Sequence, residues 1–391
     1  MRRLAAAAAA VILSAPLAAA QPPTPPFPRP ARPAPAFSRA TIPLAFHGAN
    51  TSGPYDAAGV AQLSRYQMVT LEKWYTPCGA QHPDMSGPDC DVEDRMFATF
   101  AQLKAAAAAA AGGGRNLTAI MYFNSMFDFA FYKFNGLVEA LEAAGERILL
   151  RDAFGEVVRL CNDGNHYCNV TFYDHSSARV RALWMEALRN ATLSVGAVDG
   201  VFADHASQSI VPGAGGGAAP ATLCNGRPWR CFNFTNEFAA AFNAGHDWLI
   251  NATQDMLSRL PGAGPVIDGP YGAYNVNACN YTTLRARVLA GRAGAGAFVI
   301  EASDGGCSPD ESCMANFLCA AEPFVYLSCL SSGPVLPAFL PEYGRALGAP
   351  TGAPVEAGGL VTRSFQSGAG LTVARVNLTS GAGTIEWAGG G

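Results

Sequence analysis

Short apolar runs alternate with longer segments of helical periodicity from residue 41 onward, and this alternation constrains the fold more than any other feature. Parallel strands must be joined by a crossover, usually a helix, so the pattern predicts βαβ units around a parallel sheet. The predicted strands are residues 42–46, 68–72, 118–123, 200–203, 264–267, 297–300 and 323–327, with an eighth candidate at 360–365.

Eightfold alternation favours a closed barrel over an open doubly wound sheet. Neither nucleotide-binding fingerprint occurs, since no Gly-x-Gly-x-x-Gly follows the first predicted strand and the chain contains no Gly-x-x-x-x-Gly-Lys-Ser/Thr. The predicted fold is therefore α/β, a (β/α)8 TIM barrel. Apolar and polar residues alternate over residues 371–387, which predicts a short carboxyl-terminal β appendage.

The first forty residues predict two segments that precede the barrel. Arg2 and Arg3 are followed by an uncharged Ala-rich stretch and by three alanines before Gln21, the pattern of a signal peptide. An uncleaved anchor is the alternative, but Pro16 interrupts the run, which is short for a membrane span. Residues 21–40 are Pro-rich and predict an extended linker. Residues 41–340 are then the catalytic barrel, and residues 341–391 its last element and the β-hairpin.

Two features of the sequence predict export through an oxidising compartment. Eight Asn-x-Ser/Thr sequons occur, at Asn50, Asn116, Asn169, Asn190, Asn233, Asn251, Asn280 and Asn377. The chain has 11 cysteines, and six of them form local pairs, Cys78/Cys90, Cys161/Cys168 and Cys224/Cys231. These read as disulfides that close loops, and the partners of the other five cysteines stay open. A secreted glycoprotein is expected.

Composition and missing motifs exclude several functions. The 26 basic residues do not exceed the 30 acidic ones, so nucleic acid is not an expected partner. No Cys-x-x-Cys or His-x-x-x-His pair provides a zinc site, and no Gly-x-Ser-x-Gly marks a serine esterase. No metal, cofactor or membrane contact is expected after removal of the signal peptide.

Polar and aromatic residues follow nearly every predicted strand, where a (β/α)8 barrel has its active site. Glycosidic bond cleavage needs two carboxyl groups on either side of the anomeric carbon, and aromatic rings bind the apolar faces of sugars. Asp204 and Glu301 are the predicted catalytic pair, because each directly follows an apolar run. The predicted substrate-binding residues are His47, Glu72, Trp74, Tyr75, Asn124, Asp128, His205 and Asp268.

Structural roles compete with several of these assignments. Asp204 could instead accept hydrogen bonds from loop amides, Glu72 could pair with Lys73, and Asp268 could stabilise the turn before Gly269. His175 is expected to organise the loop before its helix.

The segment from Val198 to Asp204, after an Arg- and Trp-bearing helix and with Leu149–Gly155 before it, resembles the TIM-barrel glycoside hydrolases of largely uncharacterised families. The residues around Glu342, Pro350, Arg363 and Asn377 are similar to the carboxyl-terminal pattern of these families. The resemblance implies that Asp204 is the nucleophile and, less directly, that Glu301 is its partner, as in retaining α-glycosidases with carboxylates on strands four and six. His205 departs from the pattern, because such families often have glycine there.

The sequence thus predicts a secreted glycoside hydrolase that cleaves a poly- or oligosaccharide by a two-carboxylate, retaining mechanism. The alternative is a secreted carbohydrate-binding barrel that has lost its catalytic activity. Hydrolysis of a glycan panel, compared with binding to the same panel, distinguishes the two.

Overall fold

The computed structural model describes residues 38–72, 91–110, 117–129, 132–160, 170–192, 196–206, 210, 234–258, 266–268, 276–293, 300–303, 309–323, 325–331 and 335–389. These residues belong to two compact units. One contains Phe127–Met185 and Ser209–Leu249, and the other contains Arg29–Met126, Glu186–Gln208 and Ile250–Gly391. We call them the small unit and the large unit.

A parallel sheet of eight strands forms the centre of the large unit. Its strands are β1 Leu44–Gly48, β2 Met68–Leu71, β3 Thr118–Tyr122, β7 Gly200–Ala203, β8 Val266–Asp268, β9 Val276–Asn277, β10 Ile300–Ser303 and β11 Val325–Ser331. Every residue of β1, β2, β3 and β7 is buried. Continuous burial explains why these strands read as unbroken apolar runs, since parallel sheets are covered on both faces.

The strand order is β8-β7-β3-β2-β1-β11-β10-β9. Each neighbour in this row is the next parallel strand along the chain, and β11 pairs with β1. That is the cyclic order of a barrel, whereas a doubly wound sheet reverses its order at a switch point. Among the described residues no ladder joins β8 to β9, so the structure shows a partial, curled barrel and not a complete eightfold one.

The described residues include seven α-helices. They are α1 Ala57–Leu63, α2 Val92–Ala110, α3 Lys133–Ala143, α4 Ala178–Thr192, α5 Asn236–Ser258, α6 Tyr281–Ala293 and α7 Glu311–Ala320. Asp56 caps α1 by accepting a hydrogen bond from the Gly59 amide, and Asp310 caps α7 through the Cys313 amide. Both carboxylates satisfy an amide that the helix itself leaves without a partner.

The carboxyl-terminal part of the large unit is an antiparallel sheet. Its strands are β12 Ala349–Pro350, β13 Val355–Ala357, β14 Leu360–Ser367, β15 Gly370–Asn377 and β16 Gly383–Glu386. The expected β appendage is therefore present, and it has five strands instead of one hairpin. Residues 360–365 were expected to be the eighth barrel strand, but they pair with β12, β13 and β15 here. Their alternating burial fits a sheet covered on one face.

The small unit contains a short antiparallel sheet, β4 Phe127–Asp128, β5 Arg159–Leu160 and β6 Val170–Phe172, in the order β4-β6-β5. Trp184 on α4 is completely buried, as are His175 and Phe242. Gly245 of α5 lies directly against the backbone of His175, and a Cβ atom there would overlap the His175 carbonyl oxygen. Arg181 donates a hydrogen bond to the same carbonyl oxygen. His175 thus lies at a packing contact, consistent with its expected structural role.

One disulfide joins Cys279 to Cys313, two of the five cysteines whose partners the sequence left open. It ties the start of α6 to the first turn of α7. Cys319 is a buried free thiol. The three predicted local pairs fall outside the described residues. No helix among the described residues is long and apolar enough to cross a membrane.

Candidate active site

Asp204 directly follows β7, at the carboxyl end of the parallel sheet. Its Oδ2 accepts a hydrogen bond from the Tyr122 hydroxyl at 2.6 Å and lies 3.4 Å from Asn124 Nδ2. Its Oδ1 accepts from the His205 backbone amide at 2.9 Å. The carboxylate side chain remains 27% exposed. Asp204 is thus fixed in orientation and still reachable from solvent.

The pairing of β3 with β7 brings these donors to Asp204. Ile120, Met121 and Tyr122 are in register with Gly200, Val201 and Phe202. Tyr122 and Asn124 are two residues apart along an extended segment, and Asn124 Nδ2 also donates to the Tyr122 hydroxyl at 2.8 Å. Residues at this spacing lie on the same face. The loop after β3 is held in place because the Ser125 amide and hydroxyl both donate to the Asp204 carbonyl.

His205 occupies a constrained backbone position. Its φ angle is +63°, in the left-handed region where L side chains are disfavoured and glycine is not. Glycine would adopt this conformation without strain, so His205 holds a position that suits glycine better. The imidazole is close to the neighbouring carboxylate, with His205 Nε2 3.4 Å from Asp204 Oδ2.

His47 and Glu72 form a second polar pair at the same edge of the sheet. His47 lies in β1 and Glu72 directly follows β2, and His47 Nε2 is 2.7 Å from Glu72 Oε1. His47 is fully buried, while the Glu72 side chain is 14% exposed. The Glu72 backbone amide donates to the Gly48 carbonyl, and this hydrogen bond fixes the end of β2 beside the end of β1. His47 is therefore a buried partner of Glu72, and the alternative pairing of Glu72 with Lys73 stays a prediction, because Lys73 lies outside the described residues.

Phe202 connects the two polar groups. Its ring stacks on Tyr122 with the centroids 6.0 Å apart, and it contacts the His47 ring edge to face at 4.7 Å. The strands β7, β3, β2 and β1 are consecutive neighbours in the sheet. Four of the predicted site residues, His47, Glu72, Asn124 and Asp204, therefore lie at the carboxyl ends of four adjacent strands.

Glu301 lies at a different place from the one predicted. The sequence placed it immediately after the sixth strand, but β10 spans Ile300–Ser303, and Glu301 is its second residue, paired with Tyr326. The short strand β9 also makes β10 the seventh parallel strand along the chain. An apolar run indicates a buried strand but does not mark its last residue, because a polar residue such as Glu301 can lie within the strand.

Asp128 belongs to the small unit and is 2% exposed. Asn135 Nδ2 donates to its Oδ2 at 2.8 Å, and the Tyr173 hydroxyl donates to its Oδ1 at 3.1 Å. Burial raises the pKa of the Asp128 carboxyl to about 6 despite these donors. Its contacts are those of a buried structural carboxyl, and its predicted contact with sugar stays a prediction.

The other predicted residues are only partly described. Asp268 is the last residue of β8, in register with Ala203 of β7. Trp74 and Tyr75 lie outside the described residues. Sequence reasoning missed Tyr122, although its position two residues before Asn124 on a strand face was a usable signal. Within the described ranges, no group of three or more His, Cys, Asp or Glu residues is placed to hold a metal ion.

No protein-family model and no curated protein matches this chain. The solved structures to which this chain is similar include an α-galactosidase and a xylosidase. The GH36 α-galactosidase AgaB from Geobacillus stearothermophilus is 11% identical, with 86% of this chain and 47% of that chain covered and a TM-score of 0.46. A xylosidase from Aspergillus niger is 13% identical, with 80% and 47% covered and a TM-score of 0.45. The chain spans less than half the length of either structure.

Proposed function

We propose that this protein is a secreted glycoside hydrolase that cleaves O-glycosidic bonds of a poly- or oligosaccharide, with Asp204 as the nucleophile of a retaining mechanism. The observation that carries the proposal is the Asp204 carboxylate itself. It lies at the carboxyl end of a parallel strand, is partly exposed, and is oriented by Tyr122, Asn124 and the His205 amide. Catalytic residues of barrel enzymes occupy this position. The Cys279–Cys313 disulfide supports an oxidising compartment.

The second carboxyl group must come from the far side of a closed barrel. Along the hydrogen-bonded row, four strands separate β7 from β10, and the five steps of about 4.8 Å amount to roughly 24 Å measured along the sheet. If β8 and β9 close the barrel, β7 and β10 instead face each other across its mouth. The proposed mechanism therefore requires this closure.

Glu301 is the predicted proton donor, and its place inside β10 raises a second candidate. Asp304 is the first residue after β10 in the sequence, as Asp204 is the first after β7. Because active sites of barrels use residues that follow the strands, Asp304 has the better sequence position. Both residues are to be tested.

In the proposed reaction, an Asp204 oxygen attacks the anomeric carbon while the bond from that carbon to the leaving oxygen breaks. The proton donor transfers its proton to the leaving oxygen. Water then attacks the glycosyl ester, giving its proton to the same donor and restoring the Asp204 carboxylate. Carboxyl groups about 5 to 5.5 Å apart would fit this route, and about 6.5 to 9.5 Å would fit inversion.

The first experiment screens aryl glycosides of different sugars and anomers with the wild-type protein, Asp204→Asn and Asp199→Asn. Asp199 is the matched control, because it is an aspartate at the amino end of the same segment, where it pairs with Lys104. We expect Asp204→Asn to lose at least about 10³-fold in kcat while glycan binding persists, since it removes the nucleophile with little change of shape. Asp199→Asn should keep turnover. Equal turnover of all three proteins would refute the assignment.

Azide rescue tests the nucleophilic role separately. An Asp204→Gly variant leaves space for azide, which should restore cleavage of an activated aryl glycoside and give a glycosyl azide of inverted configuration. Glu301→Gln and Asp304→Asn then identify the donor, because loss of the true donor should impair poor leaving groups far more than good ones.

A carbohydrate-binding barrel without activity is the second candidate. The left-handed backbone of His205 favours it, because a side chain at a position suited to glycine narrows the space beside Asp204. Glycan binding without hydrolysis, equal in wild type and Asp204→Asn, would establish this alternative and overturn the first.

A further inference from the structure

A cavity of about 710 Å³ lies at the amino ends of β1 and β11, away from the edge that carries Asp204. Arg39 precedes β1, Glu322 precedes β11, Arg285 comes from α6 and Arg363 from β14 of the antiparallel sheet. All four belong to the large unit. We call this space the arginine cavity. Its remaining walls are small or apolar, formed by residues such as Pro323, Pro350 and Ala353.

Positive charge exceeds negative charge among the residues that line the cavity. Three guanidinium groups face one carboxylate. Arg285 Nη1 lies 2.6 Å from Glu322 Oε1, and Arg363 Nη2 lies 3.7 Å from Glu322 Oε2. Arg39 Nη2 donates to the Ala321 carbonyl at 3.2 Å. Glu322 can neutralise only one of the three, so the lining has two positive charges in excess.

The most deeply buried of these groups is Arg363, whose side chain is 3% exposed. Its Nη1 donates to the carbonyls of Leu318, Cys319 and Ala321, while its Nε makes no hydrogen bond within the described part of the chain. A buried charged group normally satisfies its donors, because an unpaired one loses hydration without compensation.

The pKa of Arg39 reflects both its burial and its repulsion by a neighbouring arginine. Burial and the nearby positive charge of Arg363 lower the pKa of Arg39 to about 10. An anion in the cavity would offset the repulsion between Arg39 and Arg363, because guanidinium groups bind carboxylate and sulfate oxygens through charge-assisted hydrogen bonds.

We propose that the arginine cavity binds an oxyanion, a carboxylate or sulfate group carried on a small organic body such as an acidic sugar. The arginines recognise the anionic group. The volume exceeds that of a bare inorganic ion, and the proline and alanine walls suit an uncharged body. The cavity lies at the opposite ends of the strands from Asp204, so this ligand is distinct from a sugar undergoing cleavage. The proposal stands independently of the proposed hydrolase activity.

Isothermal titration of the full-length protein tests the proposal with sodium glucuronate, sodium sulfate and glucose, at ionic strength held constant with sodium chloride. Arg39→Gln is the main variant, because it removes one of the three positive charges that line the cavity. Arg345→Gln is the matched control, an arginine outside the cavity that packs on Trp387. We expect glucuronate to bind wild type and Arg345→Gln alike and to bind Arg39→Gln at least about tenfold more weakly.

The sulfate titration separates the two sources of the anion. Glucuronate binding tighter than sulfate binding supports a sugar-borne acid, and equal binding supports a free oxyanion at the same arginines. The proposal is overturned if neither anion binds better than glucose, or if Arg39→Gln binds them as wild type does. Should Arg39→Gln fail to fold, the wild-type preference for anions over glucose and the Arg285→Gln variant decide the question. Neither result bears on whether the protein hydrolyses neutral aryl glycosides, so the two proposals fail independently.

Discussion

Asp128 is expected to make the stability of the small unit depend on pH in an uncommon direction. Its carboxyl has a pKa of about 6 in the folded protein against a reference value of 3.8, because burial disfavours the charged form more than its three donors favour it. The folded state therefore holds a proton that the unfolded state releases. This contribution is fully present below about pH 4 and is lost as pH rises to about 6.

The magnitude follows from the shift. A difference of about two pKa units corresponds to about 3 kcal/mol in the free energy of unfolding. Solvent screening reduces this little, because Asp128 is only 2% exposed. Asp128→Asn should remove the dependence. An asparagine oxygen in place of Oδ2 still accepts from Asn135, and the Tyr173 hydroxyl can rotate to accept from the new amide.

Urea unfolding at pH 4, 5, 6 and 7, followed by tryptophan fluorescence, measures the effect. Trp184 is fully buried in the same unit and reports on its unfolding. The difference between Asp128→Asn and wild type should change by about 3 kcal/mol across this range, with wild type relatively more stable at the acidic end. Tyr173→Phe is a matched control with the opposite effect. It removes a hydrogen bond that lowers the pKa of Asp128, so the pH at which the stabilisation is lost should rise. Parallel pH profiles for wild type and Asp128→Asn would refute the reasoning.

Three further predictions concern packing, covalent structure and modification. Gly245→Ala should destabilise the protein by more than about 2 kcal/mol in the same urea assay, because the added Cβ would overlap the His175 carbonyl. Gly136→Ala on α3 is the control. It has open space around it and should stabilise the protein by about 0.5 to 1 kcal/mol. Replacing Cys279 and Cys313 together by alanine should cost about 4 kcal/mol of unfolding free energy for a sequence separation of 34, and full stability of that variant would contradict the entropic account. The sequon at Asn50 should carry no glycan, because the Asn50 side-chain amide is buried and donates to a backbone carbonyl. Mass spectrometry of protein expressed through a secretory pathway measures its occupancy. A glycan at Asn50 would show that glycosylation precedes burial.

The positions of β1, β2, β3 and β7 could be predicted because every residue of these strands is buried, so each strand is a continuous, largely apolar run. The predicted strand at residues 200–203 agrees with β7, and β2 and β3 agree to within one residue at their ends. Residues 360–365 also form a strand as expected, but in the wrong sheet. Local sequence specifies an extended, half-buried segment, and the partner that covers it is chosen by contacts far along the chain.

The site shows the same division. The sequence determined that carboxylates, amides and aromatics follow the apolar runs, and hence that Asp204, Asn124, Glu72 and His47 lie at one edge of a parallel sheet. Only the tertiary structure decided that Tyr122 donates to Asp204, that His47 is a buried partner of Glu72, that Asp128 belongs to the small unit, and that three arginines surround Glu322. Strand identity depends on periodicity within a few residues, whereas the contact between two side chains depends on register and packing between segments that are remote in sequence.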